Sequence, residues 1–292
     1  MSKTTLGILI TVFAAFAYGL YPPTARAAYA MQANVVAVIL ATTWLRALAQ
    51  VVFCRLKKLP LFVGGISKTN ILGGFWQALS IIGIMGALQF LSGPVVILIV
   101  FTHTLMLLAL LIYKKEMDFN LSILLSTIGA LFGLGLVLGL WQADIEIIWA
   151  GVGLAFLSAI ATFNRLYIFG KLTQNQHPII VGAETFLMAA ILLTGLLFWQ
   201  MPVWPNQFIG FVWIGLSAVS LTMGTFAMFY GISLLGSFRY SLLAKLEPVF
   251  AAAFSVIFFG EHLTWQQYIG MILVLLSLAI YQYMSQAKSK AI

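Results

Sequence analysis

Long apolar runs alternate with short polar breaks along nearly the whole chain. A helix needs about 20 apolar residues to cross a hydrocarbon core of roughly 30 Å. Ten runs reach or approach that length. They predict spans at Thr5–Pro22, Val35–Cys54, Asn70–Leu88, Ser92–Tyr113 and Leu121–Leu140, then at Ile147–Phe169, Ile179–Trp199, Gln207–Gly231, Phe238–Phe259 and Trp265–Met284. The stretch 70–113 is too long for one helix, and Ser92-Gly-Pro94 marks a turn within it. Pro22-Pro23 is read as the end of the first span, and Pro202-Val-Trp-Pro205 as part of the connection between the seventh and eighth. His177-Pro178 opens the seventh span, with proline at a first helical position. Thr264 followed by Gln267 reads as a capping box for the last span. A competing reading takes Lys3, the apolar run and Ala25-Arg-Ala27 as a cleaved leader. The internal repeat described below requires the first span to stay.

Composition agrees with lipid as the solvent. Of the 292 residues, 62% are hydrophobic and 8% charged, against about 25% charged in soluble proteins. The net charge of +8 matters through its placement. With the amino terminus inside, the even connections and the tails hold Lys3, Arg55, Lys57, Lys58, Lys68, Lys114, Lys115, Arg165, Lys171, Lys288 and Lys290. The outward connections hold only Arg26, with the acids Asp144, Glu146 and Glu261. That asymmetry predicts an even number of spans in the cytoplasmic (inner) membrane with both termini cytoplasmic, and it removes the nucleic-acid reading of a basic chain. The single cysteine, Cys54, allows no internal disulfide and no cysteine metal cluster. Phosphate-binding and nucleophile-elbow motifs are missing from the sequence. No cofactor and no metal are expected.

The chain repeats itself at a spacing of about 145 residues. Met85-Gly86 falls on Tyr230-Gly231, Ser92 on Ser237, Thr102-His103 on Glu247-Pro248 and Glu116 on Glu261. Gly7 to Ala17 matches Gly151 to Ala161, and Ala41 to Ala47 parallels Ala183 to Ala189. Residues 1–142 and 143–292 therefore read as two five-span repeats. An odd number of spans in each half forces opposite insertion, the inverted arrangement of many secondary transporters.

Tyr230-Gly-Ile-Ser-Leu-Leu-Gly-Ser-Phe-Arg-Tyr-Ser-Leu-Leu-Ala-Lys-Leu-Glu-Pro248, then Phe259-Gly-Glu-His-Leu-Thr264, Gln267 and Gly270, resemble the drug/metabolite transporter superfamily, and within it the ten-helix EamA-type exporters. The first half carries a faded version in Ser92-Gly-Pro94, Thr102-His103 and Glu116, and Arg46 stands where the family often has an arginine. The resemblance covers essentially the whole chain. It implies an all-α membrane protein, ten transmembrane helices in two inverted five-helix repeats around a central cavity, with alternating access and no ATP. Thr102-His103 departs from the usual x-Pro of the first-half motif, and Lys245 is not part of the pattern. Cargo in the superfamily ranges over amino acids, nucleosides, sugars, choline, polyamines and drugs, so the resemblance names no single one.

Ionisable groups inside a bilayer cost about 2.5–3.5 kcal/mol even on the lenient insertion scale. Five lie well inside the predicted spans: Arg46, His103, Glu184, Lys245 and Glu247. Arg46 reads as a carboxylate clamp or, preferably, as the partner of Glu184. Glu184 closes that pair or carries a coupling proton. Lys245 and Glu247, about 200° apart on a helix, need separate partners. His103 titrates near neutrality and serves a proton step or a cross-helix hydrogen bond, with Glu247 expected close to it near the pseudo-twofold axis. Trp44, Trp76, Gln77, Asn164 and Tyr240 extend the substrate-binding set, because aromatic walls suit planar or cationic ligands. Tyr18, Ser80, Trp213, Thr222 and Thr225 lie at similar depth. Interfacial anchoring explains tryptophans equally well. Glu261 and Glu116 read as turn and cap residues. Gly129, Gly133, Gly135 and Gly139 permit close helix packing, in the bundle or in a dimer.

These features predict a secondary active transporter, not an enzyme, of a small polar or amphipathic metabolite resembling an amino acid. Proton coupling is allowed. The expected partners are the small-molecule substrate, the lipid bilayer and protons, with the chain as monomer or homodimer and no nucleic acid. One rival is a multidrug or organic-cation exporter of the same fold, in which Glu184 and Glu247 dominate and Arg46 and Lys245 are paired away. Rivals of other classes are an intramembrane lipid-modifying enzyme and a scaffold or receptor subunit.

Overall fold

A computed structural model describes residues 2–62, 67–142 and 148–290. The expected boundary after Gln142 falls at the edge of this range. Asp144, Glu146 and the expected span start at Ile147 lie outside it, as do the side chains of Lys288 and Lys290.

The described chain is all helical. The first half holds α1 (Lys3–Gly19), α2 (Tyr21–Ala30), α3 (Val35–Leu56), α4 (Lys68–Ala87), α5 (Gly93–Phe101), α6 (His103–Tyr113) and α7 (Leu121–Val137). The second holds α8 (Trp149–Asn175), α9 (Pro178–Thr194), α10 (Phe208–Leu235), α11 (Ser237–Leu243), α12 (Leu246–Phe259) and α13 (Trp265–Lys290). Eight stretches are long and apolar enough to cross a membrane: Lys3–Ala30, Val35–Leu56, Lys68–Ala87, Gly93–Tyr113, Trp149–Asn175, Pro178–Phe198, Phe208–Leu235 and Ser237–Phe259. Leu121–Val137 is a shorter apolar helix, and α13 packs along it. These are the ten segments expected from the apolar runs. Leu9, Val52, Leu125, Val219, Ile272 and Leu276 each keep more than half their surface exposed, which suits a hydrocarbon solvent.

Local chemistry sets the ends. Asn34 and Asn120 cap α3 and α7 by accepting from the Ala37 and Ser122 amides, and His177 with Pro178 opens α9 as expected. The Gln267 Oε1 accepts from the Thr264 N–H at 2.9 Å, closing the expected cap of α13. One expected end is corrected. Pro22-Pro23 does not stop the first span: it occupies the first turn of α2, where missing amide donors cost nothing, and the helix runs on to Ala30 after a break at Leu20. Ala25 and Ala27 are buried in that continuation. The fifth helix ends at Val137, ahead of the expected Leu140, with Gly139 at φ 68° beyond it.

Packing follows the 145-residue offset. Helix α4 packs on α8 as α10 packs on α1, and α4 meets α9 as α10 meets α3. Helices α5 and α6 meet α8 as α11 and α12 meet α1, while α3 with α9 and α7 with α13 pair with their own counterparts. Individual contacts repeat too. Gly7 admits Leu235 and Gly151 admits Leu91; a Cβ at either would lie 2.7 Å from the leucine. Gly129 and Gly133 seat α13 at Ser277 and Val274, so these small residues serve the bundle interior. The only two salt bridges among the described residues, Arg26–Glu261 and Lys171–Glu116, are also related by the offset. Each joins one half to the other, at opposite ends of the bundle. Glu261 and Glu116 are therefore ion-pair residues as well as turn residues.

Candidate functional site

Two of the spans are broken at mid-length. The fourth is interrupted at Thr102, between α5 and α6, and the ninth at Ala244–Lys245, between α11 and α12. Breaks leave backbone groups without intrahelical partners, and membrane interiors tolerate them only against protein or a lined cavity. Pro248 sits in the first turn of α12, just past the second break. Lys245, fully buried, reaches from this break to the first half. Its Nζ donates to Thr104 Oγ1 at 2.7 Å and lies 5.5 Å from the centre of the Phe101 ring. His103 is 5% exposed, with Nδ1 at 2.8 Å from the Val100 carbonyl. Its ionisable neighbours are Lys245 and Arg165. Glu247, expected beside His103, has Arg165 as its charged neighbour instead.

Arg165 anchors a second cluster, built from both halves. From mid-α8 its guanidinium donates to Gln77 Oε1 on α4. Tyr18, Tyr240 and Glu247 lie within its electrostatic reach. Arg46, 6% exposed, comes from α3, with its guanidinium 4.5 Å from the centre of the Phe186 ring. It faces the Tyr18 hydroxyl, with Tyr21 and Arg165 nearby. The Tyr18 hydroxyl lies 3.0 Å from Thr225 Oγ1. Arg46 Nε, Arg165 Nε, Thr43 Oγ1 and Gln50 Oε1 are buried without a hydrogen-bond partner. Thr43, Arg46 and Gln50 share one face of α3, at helical spacings of three and four.

Two expectations change here. Arg46 does not pair with Glu184: its guanidinium lies over the Phe186 ring with Tyr18 beside it, while the Glu184 carboxylate is taken by the Phe62 amide and Asn70. Arg165, counted above among the connection cations, lies inside a membrane helix. Helix α8 runs six residues past the expected end at Phe169, to Asn175, so Arg165 sits about 9 Å deeper than that end implies. Removing it leaves ten basic residues on the amino-terminal side, against Arg26 on the other.

Glu184 belongs to a third place, near the amino-terminal face. Its carboxylate accepts from the Phe62 N–H at 2.6 Å and from Asn70 Nδ2. Together with Pro60, Asn175 and His177 they line a cavity of about 260 Å³. Cys54, beside it on α3, is buried. Three remaining expected residues stand apart from the Arg46–Arg165 cluster. Trp44 Nε1 donates to Thr194 Oγ1 at 3.1 Å, Trp76 packs edge-on to Phe75, and Asn164 donates back to the Ile160 carbonyl of its own helix. Gln77, Tyr240, Glu247 and Arg46 are the members of the expected set that converge. Tyr21, Thr104 and Arg165 are additions. For Arg165 the available signal was that no helix stop intervenes before His177-Pro178.

Outside the membrane segments, the Lys114 ammonium donates to the Tyr167 hydroxyl at 2.9 Å, and that bond raises its pKa above the ordinary lysine value. Among the described residues no three His, Cys, Asp or Glu side chains converge on a possible metal position.

Known proteins bear on this arrangement. Over 144 residues the chain is 31% identical to the uncharacterized transporter YwfM of Bacillus subtilis (strain 168). The match spans about half of each protein, 48% of this chain and 47% of the relative. A solved crystal structure of a protein 16% identical in sequence superposes with a TM-score of 0.75, covering 97% of this chain and 98% of that one. That likeness is one of fold. Both sequence relationships are to proteins described as transporters, in agreement with the drug/metabolite transporter resemblance. Residues 147–282 of this all-helical chain, just under half of it, match the model of the EamA-like transporter family.

Proposed function

We propose that the chain is a secondary active transporter of a small polar or amphipathic metabolite, working by alternating access between two inverted halves, residues 1–142 and 143–292. The observation that carries this reading is the central cluster itself. Arg46 and Gln77 from the first half and Arg165, Tyr240 and Glu247 from the second converge where the halves pack. A site shared between repeats is the arrangement of secondary transporters. The exchanged helix pairs support the two-repeat organisation. The twin salt bridges, one at each end and each joining the halves, support a gate at either face. In this reading each gate opens while the other holds. Both termini lie in the cytoplasm and the chain resides in the inner membrane, supported by the remaining lysine and arginine asymmetry.

The organic-cation alternative requires Arg46 and Lys245 to be paired away with carboxylates. Neither has one within ion-pair distance among the described residues, which favours the metabolite reading. Proteoliposome uptake of a metabolite panel, with and without a pH gradient, tests the proposal. Saturable uptake of at least one polar metabolite is expected. Uptake of organic cations alone would select the alternative. A pH gradient that drives accumulation would assign proton coupling.

A further inference from the structure

We infer that Arg46 and Arg165 together form the seat for a carboxylate group of the substrate. The inference rests on the transporter reading and specifies the chemistry of its cargo.

Two guanidiniums stand within electrostatic reach of each other in the membrane interior, one on α3 and one on α8. Like charges so placed repel, and burial strengthens the repulsion. One carboxylate, Glu247, lies within electrostatic reach of Arg165 and makes no ion pair with it. Arg46 has an aromatic face and a phenol in place of an anion. Counting two cations and one anion, the site carries one uncompensated positive charge. Lys245 does not enter this count, since its ammonium is turned to Thr104 and Phe101.

Hydrogen bonding points the same way. Nε of each arginine is buried without a partner, and a buried donor left unmade is costly. Gln77 holds one terminal nitrogen of Arg165, which orients its planar fork. Guanidinium forks match the two oxygens of a carboxylate. A single excess positive charge suits one carboxylate better than a dianionic phosphate. Glu247 across from the seat repels a second carboxylate, so monocarboxylates are preferred to dicarboxylates. Tyr18, Tyr21 and Tyr240 around the pair offer rings and hydroxyls to the rest of the molecule.

Matched ligand sets on the full-length protein in proteoliposomes test the inference. Each set contains a free amino acid, its N-acetyl derivative, its amide and its decarboxylated amine. The readouts are competition for counterflow and thermal stabilisation of the purified protein. The free acid and the N-acetyl acid are expected to compete at least tenfold better than the amide and the amine. Arg165→Gln and Arg46→Gln are expected to erase that preference, and Arg46→Lys to retain part of it. Wild-type ratios decide the matter even if a variant fails to fold. Amides or amines competing as well as the acids would overturn the carboxylate seat and leave the transporter reading standing. Transport confined to dicarboxylates or phosphate esters would also overturn it. No exchange of any small solute would overturn both.

Discussion

Lys171 pairs with Glu116 at 2.9 Å, and Arg26 pairs with Glu261 at the other end of the bundle. The partners match at a single offset: Arg26 lies 145 residues before Lys171, and Glu116 lies 145 before Glu261. Each bond ties the end of one helix to a turn in the opposite half. All four side chains keep substantial solvent exposure, so each bridge is worth about 0–1 kcal/mol. That is small for stability and sufficient to bias a two-state equilibrium several-fold. Glu261→Gln is expected to leave the melting temperature nearly unchanged. It should raise thiol labelling of a cysteine introduced at Thr24, which is buried on α2 against Ser217. Glu116→Gln should lower that labelling, because it favours opening of the other face. Native Cys54 is buried, which keeps the background low. Equal effects of the two variants would contradict the gate assignment.

The buried Lys245 leans on one hydroxyl. Thr104→Val removes the acceptor 2.7 Å from its Nζ and strands a buried cation. A cost of about 1–3 kcal/mol is expected, seen as a lower melting temperature. Lys245→Met removes charge and acceptor demand together, and buried charges replaced by apolar groups are often neutral or stabilising. The single Thr104 variant should therefore be the less stable of the two. The reverse order would mean that Lys245 has an anionic partner in the folded state.

Glu184 and Asn70 differ in what they tolerate. The carboxylate accepts from Asn70 Nδ2 and from the Phe62 amide, while Asn70 Oδ1 is buried without a partner. An amide at position 184 can donate to that idle oxygen once the Asn70 side chain turns over. Glu184→Gln is expected to cost under about 1 kcal/mol, and Glu184→Ala about 1–3 kcal/mol because two donors lose their acceptor. Thermal unfolding in detergent gives both values. A Glu184→Gln loss as large as that of alanine would show that the charge, not the acceptor, is needed.

Helix α13 depends on small residues. At Gly133 a Cβ would lie 2.9 Å from the Val274 nitrogen, and at Gly270 one would lie 2.6 Å from the Val137 nitrogen. Backbone cannot yield as a side chain can, so Gly270→Val is expected to destabilise by about 1–3 kcal/mol or more. Gly153, with open space around it, should accept alanine with little change. Thermal unfolding of the two variants side by side checks the contrast.

Much of the fold was legible because lipid restricts the solutions. Apolar runs had to be helices, and their spacing gave all ten segments. The ends at Pro22 and Phe169 were misplaced for different reasons: the prolines open a second helix instead of closing the span, and after Phe169 nothing stops the helix before Asn175. That second error hid Arg165. The pairing of Arg46 was not legible either. Arg46 and Glu184 fall at similar depth on neighbouring helices, and only the rotation of α3 against α9 decides that one meets Phe186 and the other meets Asn70. Depth follows from counting residues, but azimuth is set by packing, which α3 alone does not encode. The offset repeat matched Glu116 to Glu261, read as turn and cap residues, and did not reveal that each forms an ion pair across the halves.

Solute counterflow in proteoliposomes tests the central claim most directly. Vesicles carrying wild-type protein, preloaded with a polar monocarboxylate metabolite, should accumulate trace labelled substrate transiently, and Glu247→Gln or Arg165→Gln vesicles should do so at least tenfold less. Absence of counterflow for every small polar solute tried, or equal counterflow in the wild type and both variants, would contradict a transporter whose site lies between the two halves.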